Sequence, residues 1–302
     1  MVKNDNFIQR KLYGFDKYFI DFCKMIENQN LPKILMLSGK KGQGKFTFIH
    51  HLLAYYFDKI NYNINSNEIK NNNKILFDLK KNICPDIIYY ACDKNIKIEE
   101  IRKLRTDLQK SSLNNNNRFV IFDDVEHLNN NCINALLKNI EEPSETNYFI
   151  LINNQSKIIL DTMRSRTIDI KIFLNKKQRE EIIKKLLLDM NIDFKLSLDN
   201  YSLMPGEFLK FNHILSVEKI NLDNSLIINL QKLLKLHKEK KDDTYINLAI
   251  YLINDYYYKK SNNASLIDEC VSKRSFITKK ILDYNKLNLN HSSLIAELER
   301  YI

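Results

Sequence analysis

Residues 34–48 of this 302-residue chain read ILMLSGKKGQGKFTF, and this stretch decides the fold. A short apolar segment with the pattern of a buried strand comes first, a glycine-rich loop follows, and an apolar helix comes next. The loop fits the spacing G-x-x-x-x-G-K through Gly39, Gly44 and Lys45, and Gly42 lies within it. Glycines let backbone N–H groups turn toward phosphate oxygens, and the helix N-terminus adds a positive field. The stretch therefore predicts a phosphate-binding loop in which Lys45 reaches the terminal phosphates.

The loop departs from its pattern directly after the lysine, where a Ser or Thr hydroxyl ordinarily ligates Mg²⁺. Phe46 occupies that position, and its side chain cannot ligate a metal. Thr47 follows roughly 100° further around the helix and is a poor substitute. We therefore expect ATP or ADP to bind weakly or not at all, Mg²⁺ to be poorly ligated, and this chain to be no efficient ATPase. A glycine turn without a ligand is the alternative.

A second chemical signal is RFVIFDDVEH at residues 118–127, an apolar strand that ends in carboxylates. In P-loop proteins we expect such a strand to run beside the strand of the loop and to supply an acid to Mg²⁺ or its water shell. Asp123 is the candidate on the metal side. Asp124 stands where an ATPase usually carries the Glu that polarises the attacking water. Two solvated acids that close a strand are the alternative, and we interpret His127 as a surface residue.

The remaining pattern divides the chain in two. Strand signals alternate with helix signals as far as residue 173, which predicts a mainly parallel α/β sheet. Further strands are predicted at residues 86–91, 118–123, 148–152 and 167–173. Residues 61–73 are rich in Asn and are interpreted as a surface insertion. Strand signals vanish after residue 173, and the rest of the chain is predicted to be helical.

The composition is 44% hydrophobic and 28% charged, which excludes a disordered chain, a collagen-like fibre and a small disulfide scaffold. The net charge of +10 favours polyanionic partners, although an AT-rich coding bias would also produce it. The five cysteines form no CxxC pair, so no zinc site is expected. The apolar runs are too short to span a bilayer, and the N-terminus lacks a signal-peptide pattern, so we expect a cytoplasmic protein without a membrane partner.

Four segments together carry a family resemblance. They read PDIIYYACDKNIKIEEIRKL from residue 85, RFVIFDDVEHLNNNCINALLKNIEEP from residue 118, NYFILINN from residue 147 and TMRSRT from residue 162. They resemble the clamp-loader branch of the AAA+ proteins, and within it the delta-prime subunits of bacterial DNA polymerase III. The segment at 134–143, placed between the acidic strand and the S-R-T motif, is the most specific. The resemblance is good over residues 12–173.

The resemblance implies a fold and a domain division. It implies α/β plus all-α architecture, with an AAA+ P-loop domain at residues 1–173 built on a parallel five-stranded sheet. A small helical lid is expected at 174–213, and a C-terminal helical collar domain for oligomerisation at 214–302.

The resemblance also implies roles for particular residues. The S-R-C motif of clamp loaders corresponds to SRT here, so Arg166 is implied to enter the ATP site of a neighbouring subunit as an arginine finger. Arg164 is a second candidate, and a plain surface arginine is the alternative. The sensor-1 position falls at Asn153 and Asn154. Gly206 stands where an active clamp-loader ATPase carries its sensor-2 arginine.

Two sets of binding residues follow. The candidate nucleotide-binding set is Gly39, Gly42, Gly44, Lys45, Thr47, Asp123, Asp124 and Asn153. Because AAA+ domains of this family wind around primed DNA, the candidate DNA-binding set is Arg102, Lys103, Arg105 and Lys110. Phosphate contacts need only positive charge in register. A solvated charged face is the alternative.

These departures point in one direction, because Phe46, Asp124 and Gly206 each remove part of an ATPase while Arg166 is kept. The resemblance therefore implies a stator that completes a neighbour's active site in the sliding-clamp loader. Its implied partners are the gamma/tau ATPase and delta subunits, primed DNA and, indirectly, the sliding clamp. An active gamma/tau-type ATPase is the first alternative. An unrelated P-loop enzyme, such as a nucleotide kinase, is the second.

Overall fold

The fold is taken from a computed structural model that describes residues 9–75, 84–92, 96–109, 117–141, 143–196, 203–261, 267–287 and 291–301. The chain forms two compact units. The first contains the residues up to Ile182 together with Met204–Gly206, and the second contains Ile183–Leu203 and Glu207–Ile302. The division into three domains at 173 and 213 stays a prediction.

The first unit is an α/β structure in which helices and strands alternate. Its elements are α1 (Asp16–Glu27), β1 (Ile34–Ser38), α2 (Lys45–Phe57), β2 (Tyr62–Asn63), β3 (Glu68–Ile69), β4 (Ile87–Ala91), α3 (Ile98–Gln109), β5 (Arg118–Asp123), α4 (Asn130–Ile140), β6 (Asn147–Asn153), α5 (Asp161–Arg164) and β7 (Ile168–Lys171). Every strand that the sequence predicts is present, with bounds that shift by at most a few residues at either end.

The central sheet has five parallel strands in the order β4-β5-β6-β1-β7. The predicted five-stranded parallel sheet is thus confirmed. The expectation that the acidic strand runs beside the strand of the loop is wrong, because β6 lies between β5 and β1. Parallel strands end at a common edge, so the loop after β1 still meets Asp123, the last residue of β5, and Asn153, the last residue of β6.

Side-chain alternation places a separate core on each face of this sheet. Leu35 and Leu37 of β1 pack into a core with residues of α1 and α2, whereas Met36 between them packs with residues of α3 and α4. Both faces of the strands are covered by helices, which is why β1, β5 and β6 read as near-continuous apolar runs.

The Asn-rich stretch is more than a surface insertion, which corrects that interpretation. Its strands β2 and β3 pair as an antiparallel hairpin, and Tyr62 and Ile69 of this hairpin are buried in the core that contains α2. Asn73 is buried and donates to the carbonyl oxygens of Ala54, Asp58 and Asn61. The local pattern missed this because Asn is polar on average, yet here its amide satisfies buried backbone groups.

The second unit is helical. Its elements are the later part of α6 (Lys176–Met190), most of α7 (Pro205–Val217), α8 (Leu226–Lys240), α9 (Thr244–Lys260), α10 (Ile267–Leu287) and α11 (His291–Leu298). Helix α9 packs against α8 and α10, and α11 packs against α10 and α8. Its core is built from Leu, Ile and Tyr side chains such as Leu230, Leu248 and Ile277. The predicted change from α/β to all-α architecture is therefore confirmed.

Candidate functional site

The phosphate loop joins β1 to α2 through residues 39–44. Gly42 and Gly44 have φ values of 81° and 93°, a left-handed conformation that other residues adopt only at a cost. A Cβ on Gly44 would also lie 3.2 Å from the Phe15 ring. Position 44 therefore favours glycine for two reasons, its positive φ and its closeness to Phe15.

Lys45 is the first residue of α2, and its side chain is directed back onto the loop. Its Nζ donates to the carbonyl oxygens of Gly39, at 2.6 Å, and Lys40, at 2.9 Å. The residue is only 3% exposed. Burial lowers the pKa of Lys45 to about 8, although the carboxylates of Asp123, Glu126 and Asp124 oppose this shift. An ammonium group has three donors, so one N–H remains for a phosphate oxygen.

Aromatic side chains lie at position 46 and beside Asp123, the place where a P-loop protein would hold Mg²⁺; this place is called the metal side of the loop. The Phe46 ring centroid lies 4.1 Å from that of His50 and 5.4 Å from that of Tyr89. The Tyr89 hydroxyl donates to Oδ2 of Asp123 at 2.9 Å, and the backbone N–H of Asp124 donates to Oδ1 of Asp123 at 2.9 Å. Burial, followed by the charge of Asp124, raises the pKa of Asp123. These residues offer a divalent cation few oxygen ligands, because position 46 carries no hydroxyl and both oxygens of Asp123 already accept a hydrogen bond within the protein.

Asp124 connects three loops instead of standing free beside a water. Its Oδ1 accepts from Nδ2 of Asn154 at 2.6 Å, and its Oδ2 accepts from Nζ of Lys41 at 3.0 Å. Asp124 also has a φ of 55°, the left-handed conformation. Burial by itself would raise the pKa of Asp124, but the bonds from Asn154 and Lys41 outweigh it and hold that pKa below its usual value. A carboxylate held in this way is poorly placed to polarise water.

The end of β6 is fixed by side chains that sequence reasoning missed. Asn153, the expected sensor-1 residue, donates from Nδ2 to Oγ of Ser38 at 3.0 Å. Glu126 is buried and accepts from the backbone N–H of Asn154 at 3.0 Å and from Oγ of Ser156 at 2.9 Å. Nothing in the spacing of RFVIFDDVEH singles out Glu126 over its neighbours; only its burial does. His127 is exposed, as expected, and its Nε2 lies 2.8 Å from Oγ of Ser156.

Thr47 completes the expected nucleotide set, and Gly206 stands at the position where the sensor-2 arginine was expected to be missing. Thr47 is half-buried on the first turn of α2, one position past Phe46. Gly206, on the first turn of α7, donates its backbone N–H to the carbonyl oxygen of Gly42 at 2.8 Å. A Cβ at position 206 would lie 3.0 Å from that oxygen, so the glycine allows a close backbone approach to the loop.

The arginine of the S-R-T motif belongs to a different group of contacts. Arg166 follows α5, and its Nη2 lies 3.0 Å from Oε1 of Glu141 at the end of α4. Its Nη1 donates to the carbonyl oxygen of Thr162 at 2.9 Å. The side chain of Arg166 is 37% exposed, and Arg164 is exposed as well. Arg166 therefore has one exposed carboxylate partner and lies on the surface of its unit.

The predicted DNA-binding residues lie on α3. Arg102, Lys103 and Arg105 are exposed, while Ile101 and Leu104 on the other face of the helix are buried. Lys110 lies outside the described residues. The helix thus presents three cations to solvent and an apolar side to the sheet.

Two further findings concern only the residues that the structure describes. No group of three or more His, Cys, Asp or Glu side chains in those ranges is placed to hold a metal ion. Within the same ranges, no helix has the length and apolar character needed to cross a bilayer.

The fold and this loop define a protein of the AAA+ class. A DNA polymerase III gamma subunit-related protein from Thermotoga maritima MSB8 has the same fold, with a TM-score of 0.52, 18% identity, and coverage of 94% of this chain and 99% of that one. The chain belongs to the family described as DNA polymerase III, delta subunit, whose sequence profile matches residues 15–175.

Named relatives agree with this family. A DNA polymerase III subunit delta' from Buchnera aphidicola subsp. Baizongia pistaciae is 28% identical in an alignment of 186 residues that covers 58% of this chain and 55% of that protein. A DNA polymerase III subunit gamma from Buchnera aphidicola subsp. Acyrthosiphon pisum is 28% identical in an alignment of 240 residues that covers 77% of this chain and 62% of that protein. The chain thus spans between half and two thirds of the length of these two relatives.

Proposed function

We propose that this chain is the delta-prime subunit of a bacterial sliding-clamp loader. In this role it is a stator that inserts Arg166 into the ATP site of a neighbouring gamma/tau-type ATPase. It also contacts the delta subunit, and the complex loads the sliding clamp on primed DNA. The observation that carries the proposal is the contrast between a phosphate loop whose metal side is occupied by Phe46 and Tyr89 and an exposed Arg166.

The chemistry of Arg166 suits this role. A guanidinium offers fixed donors to the charge that develops on a phosphoryl group in the transition state. Its present partner Glu141 is an exposed carboxylate, and exposed ion pairs contribute only about 0–1 kcal/mol. Breaking that pair to reach a neighbour therefore costs little.

The test is the ATPase activity of the reconstituted complex with clamp and primed DNA. We expect Arg166→Ala to lower it by about 100-fold or more, because arginine fingers supply large rate factors. Lys171→Ala, an exposed cation on β7, is the matched control. Gel filtration must show that both variants still assemble. An assembled Arg166→Ala complex with full activity would contradict the finger role.

Contact with DNA forms a separate part of the proposal. The exposed cations of α3 support it, and neutralising n phosphate contacts lowers the salt slope of binding by roughly n. We expect replacement of Arg102, Lys103 and Arg105 by Ala to reduce the salt slope of DNA binding by the complex. The control replaces Lys232, Lys235 and Lys238 on α8, which are equally exposed. An unchanged slope would remove α3 from the DNA interface.

Contact with partner subunits is proposed for the helical second unit. Large apolar side chains are exposed on its helices, among them Leu188, Val217 and Tyr258. Exposed apolar surface of this kind is typical of subunit interfaces. Replacing these three residues by Ser is expected to weaken recovery of the complex in gel filtration.

An active gamma/tau-type ATPase is the second candidate. The longer match to a gamma subunit favours it. The isolated chain would then hydrolyse ATP in the presence of Mg²⁺, and Lys45→Met would abolish that turnover. If the isolated chain hydrolyses ATP no faster than the rate without protein, this candidate is excluded.

A further inference from the structure

The metal side of the phosphate loop is occupied by side chains from two separate elements. Phe46 comes from α2 and Tyr89 from β4, and their ring centroids lie 5.4 Å apart with the rings at 64°. His50, one turn further along α2, lies on the other side of Phe46 and is 6% exposed. A divalent cation at this place would have to be accommodated beside an aromatic wall that offers no oxygen ligand except the Tyr89 hydroxyl.

The Tyr89 hydroxyl already forms a hydrogen bond within the protein. It donates to Oδ2 of Asp123, while the backbone N–H of Asp124 donates to Oδ1. Mg²⁺ requires oxygen ligands in near-ideal octahedral geometry at about 2.0–2.1 Å. A carboxylate oxygen has two lone pairs, so Asp123 could bind Mg²⁺ only by sharing one of these oxygens with its present donor, and Phe46 adds no hydroxyl as a second ligand.

Positive charge is supplied by the protein. Nζ of Lys45 is held on the loop by two carbonyl oxygens. Nζ of Lys41 lies on the same loop, 3.0 Å from Oδ2 of Asp124, and the Lys41 side chain is 62% exposed. An ammonium group has three donors, so Nζ of Lys45 can donate to a phosphate beside its two carbonyl bonds, and Nζ of Lys41 can donate to one while it keeps its bond to the buried Asp124. Together with the loop N–H groups they can balance the charge of a diphosphate.

We propose that the loop binds a nucleoside di- or triphosphate without a divalent cation, and that Phe46 and Tyr89 are the residues that exclude the metal. The inference goes beyond the proposed function, because the stator role requires no nucleotide at this loop. It concerns the isolated chain, whereas the finger role concerns the assembled complex. Either can therefore fail while the other stands.

The first experiment is calorimetry of ADP with the isolated full-length chain, once with EDTA and once with excess MgCl₂. We expect the two Kd values to agree within about two-fold, a difference of well under 1 kcal/mol. Lys45→Met should remove the binding in both conditions. Binding that strengthens by about ten-fold or more with Mg²⁺, or a chain that binds no ADP in either condition, would overturn the proposal.

A second experiment restores the oxygen ligands that a divalent cation needs at this loop. Phe46→Thr supplies the missing hydroxyl, and Tyr89→Phe releases Oδ2 of Asp123 while keeping the ring. We expect the double variant to bind ADP at least about five-fold more tightly with Mg²⁺ than with EDTA. Phe46→Leu is the matched control, because it removes the ring without adding a ligand, and its affinity should stay independent of Mg²⁺.

Circular dichroism must first show that each variant is folded. If the double variant does not fold, Tyr89→Phe alone still tests the role of the phenol, because it leaves Phe46 in place. A folded double variant that remains indifferent to Mg²⁺ would contradict the assignment of Phe46 and Tyr89 as the excluding residues.

Discussion

Two regions of the α/β unit differ in how their charged and polar groups are satisfied. In the region of the phosphate loop and α2, Lys45, His50 and His51 are buried, and the carboxylates of Asp123 and Asp124 accept bonds from within the protein. At the S-R-T motif, Arg166 is exposed and is held by one surface carboxylate and one carbonyl oxygen. The charged groups of the first region are mostly buried and bonded within the protein, whereas Arg166 in the second region is exposed.

This difference matters because the two kinds of contact have different energies. Groups buried in a hydrogen-bonded network cost about 1–3 kcal/mol each when a partner is removed, while exposed ion pairs contribute about 0–1 kcal/mol. A subunit that acts on its neighbour needs the second arrangement at its arginine. It has no need of a mobile, water-accessible carboxylate at its own loop.

The largest difference between the regions should appear in the response to pH. Burial lowers the pKa of His50 to about 3, with His51 adding to the effect, and burial lowers the pKa of His51 to about 4 against an opposing bond to Gln9. Both are neutral in the folded state, whereas in the unfolded state each binds a proton below about pH 6.5. The free energy of unfolding should therefore fall as pH drops from 7 toward 4, by about 2 kcal/mol per histidine by pH 5.

Urea unfolding at pH 7 and pH 5 measures this effect. The variant His50→Leu should lose about half of the pH dependence that the two histidines contribute. An equal fall in stability for the wild type and His50→Leu would show that His50 is not neutral when folded. Arg166→Ala should leave the pH dependence as it is.

The second prediction compares the two cations in the assembled complex. Arg166→Ala should reduce ATP hydrolysis by about 100-fold, or roughly 2.7 kcal/mol in barrier height, whereas Lys45→Met should change it by less than about two-fold. Under the proposed function, Arg166 serves the neighbour's site, whereas Lys45 belongs to a loop that does not hydrolyse nucleotide. Steady-state turnover of the two complexes checks this. A comparable loss from Lys45→Met would mean that the loop takes part in hydrolysis.

The third prediction concerns the loop backbone. Gly44→Ala places a Cβ at a φ of 93° and 3.2 Å from the Phe15 ring. We expect it to lower the free energy of unfolding by about 1–2 kcal/mol. Thermal unfolding followed by circular dichroism measures this. The control Lys40→Ala changes an exposed residue of the same loop and should stay within about 0.5 kcal/mol of the wild type.

The smallest expected effect is at the surface pair. Glu141→Gln removes the charge that faces Arg166, and exposed pairs are worth about 0–1 kcal/mol, so stability should change by less than about 1 kcal/mol. If release of Arg166 from Glu141 limits its entry into the neighbouring site, turnover by the complex should rise by at most a few-fold. A large loss of turnover would instead make Glu141 a residue that positions the arginine.

Much of the fold could be predicted from local patterns. The strand, glycine loop and apolar helix at 34–57 are present, with β1 at Ile34–Ser38 and α2 at Lys45–Phe57. The apolar stretches that end in Asp123 and near Asn153 form the strands β5 and β6. These elements were predictable because each depends on residues within a few positions of one another: alternation or continuity of apolar side chains, glycines that permit a positive φ, and a helix that begins directly after the loop.

Other features could not be predicted in this way. The strand order differs from the expectation, because β6 lies between β5 and β1. The spacing also did not predict the hairpin within the Asn-rich stretch or the burial of Glu126. Each depends on pairing or burial that composition and periodicity do not specify.

The sequence by itself determined that a glycine-rich loop follows a strand and precedes a helix, that Phe46 stands where the P-loop pattern has Ser or Thr, and that Arg166 is kept in its motif. Only the tertiary structure decided that Tyr89 donates a hydrogen bond to Asp123 and that Lys41 and Asn154 donate to Asp124. It also decided that Glu141 forms an ion pair with Arg166. The physical reason is sequence distance. Tyr89 and Asp123 are 34 positions apart, and Lys41 and Asp124 are 83 apart, so they meet only because the order of strands in the sheet brings their ends to one edge.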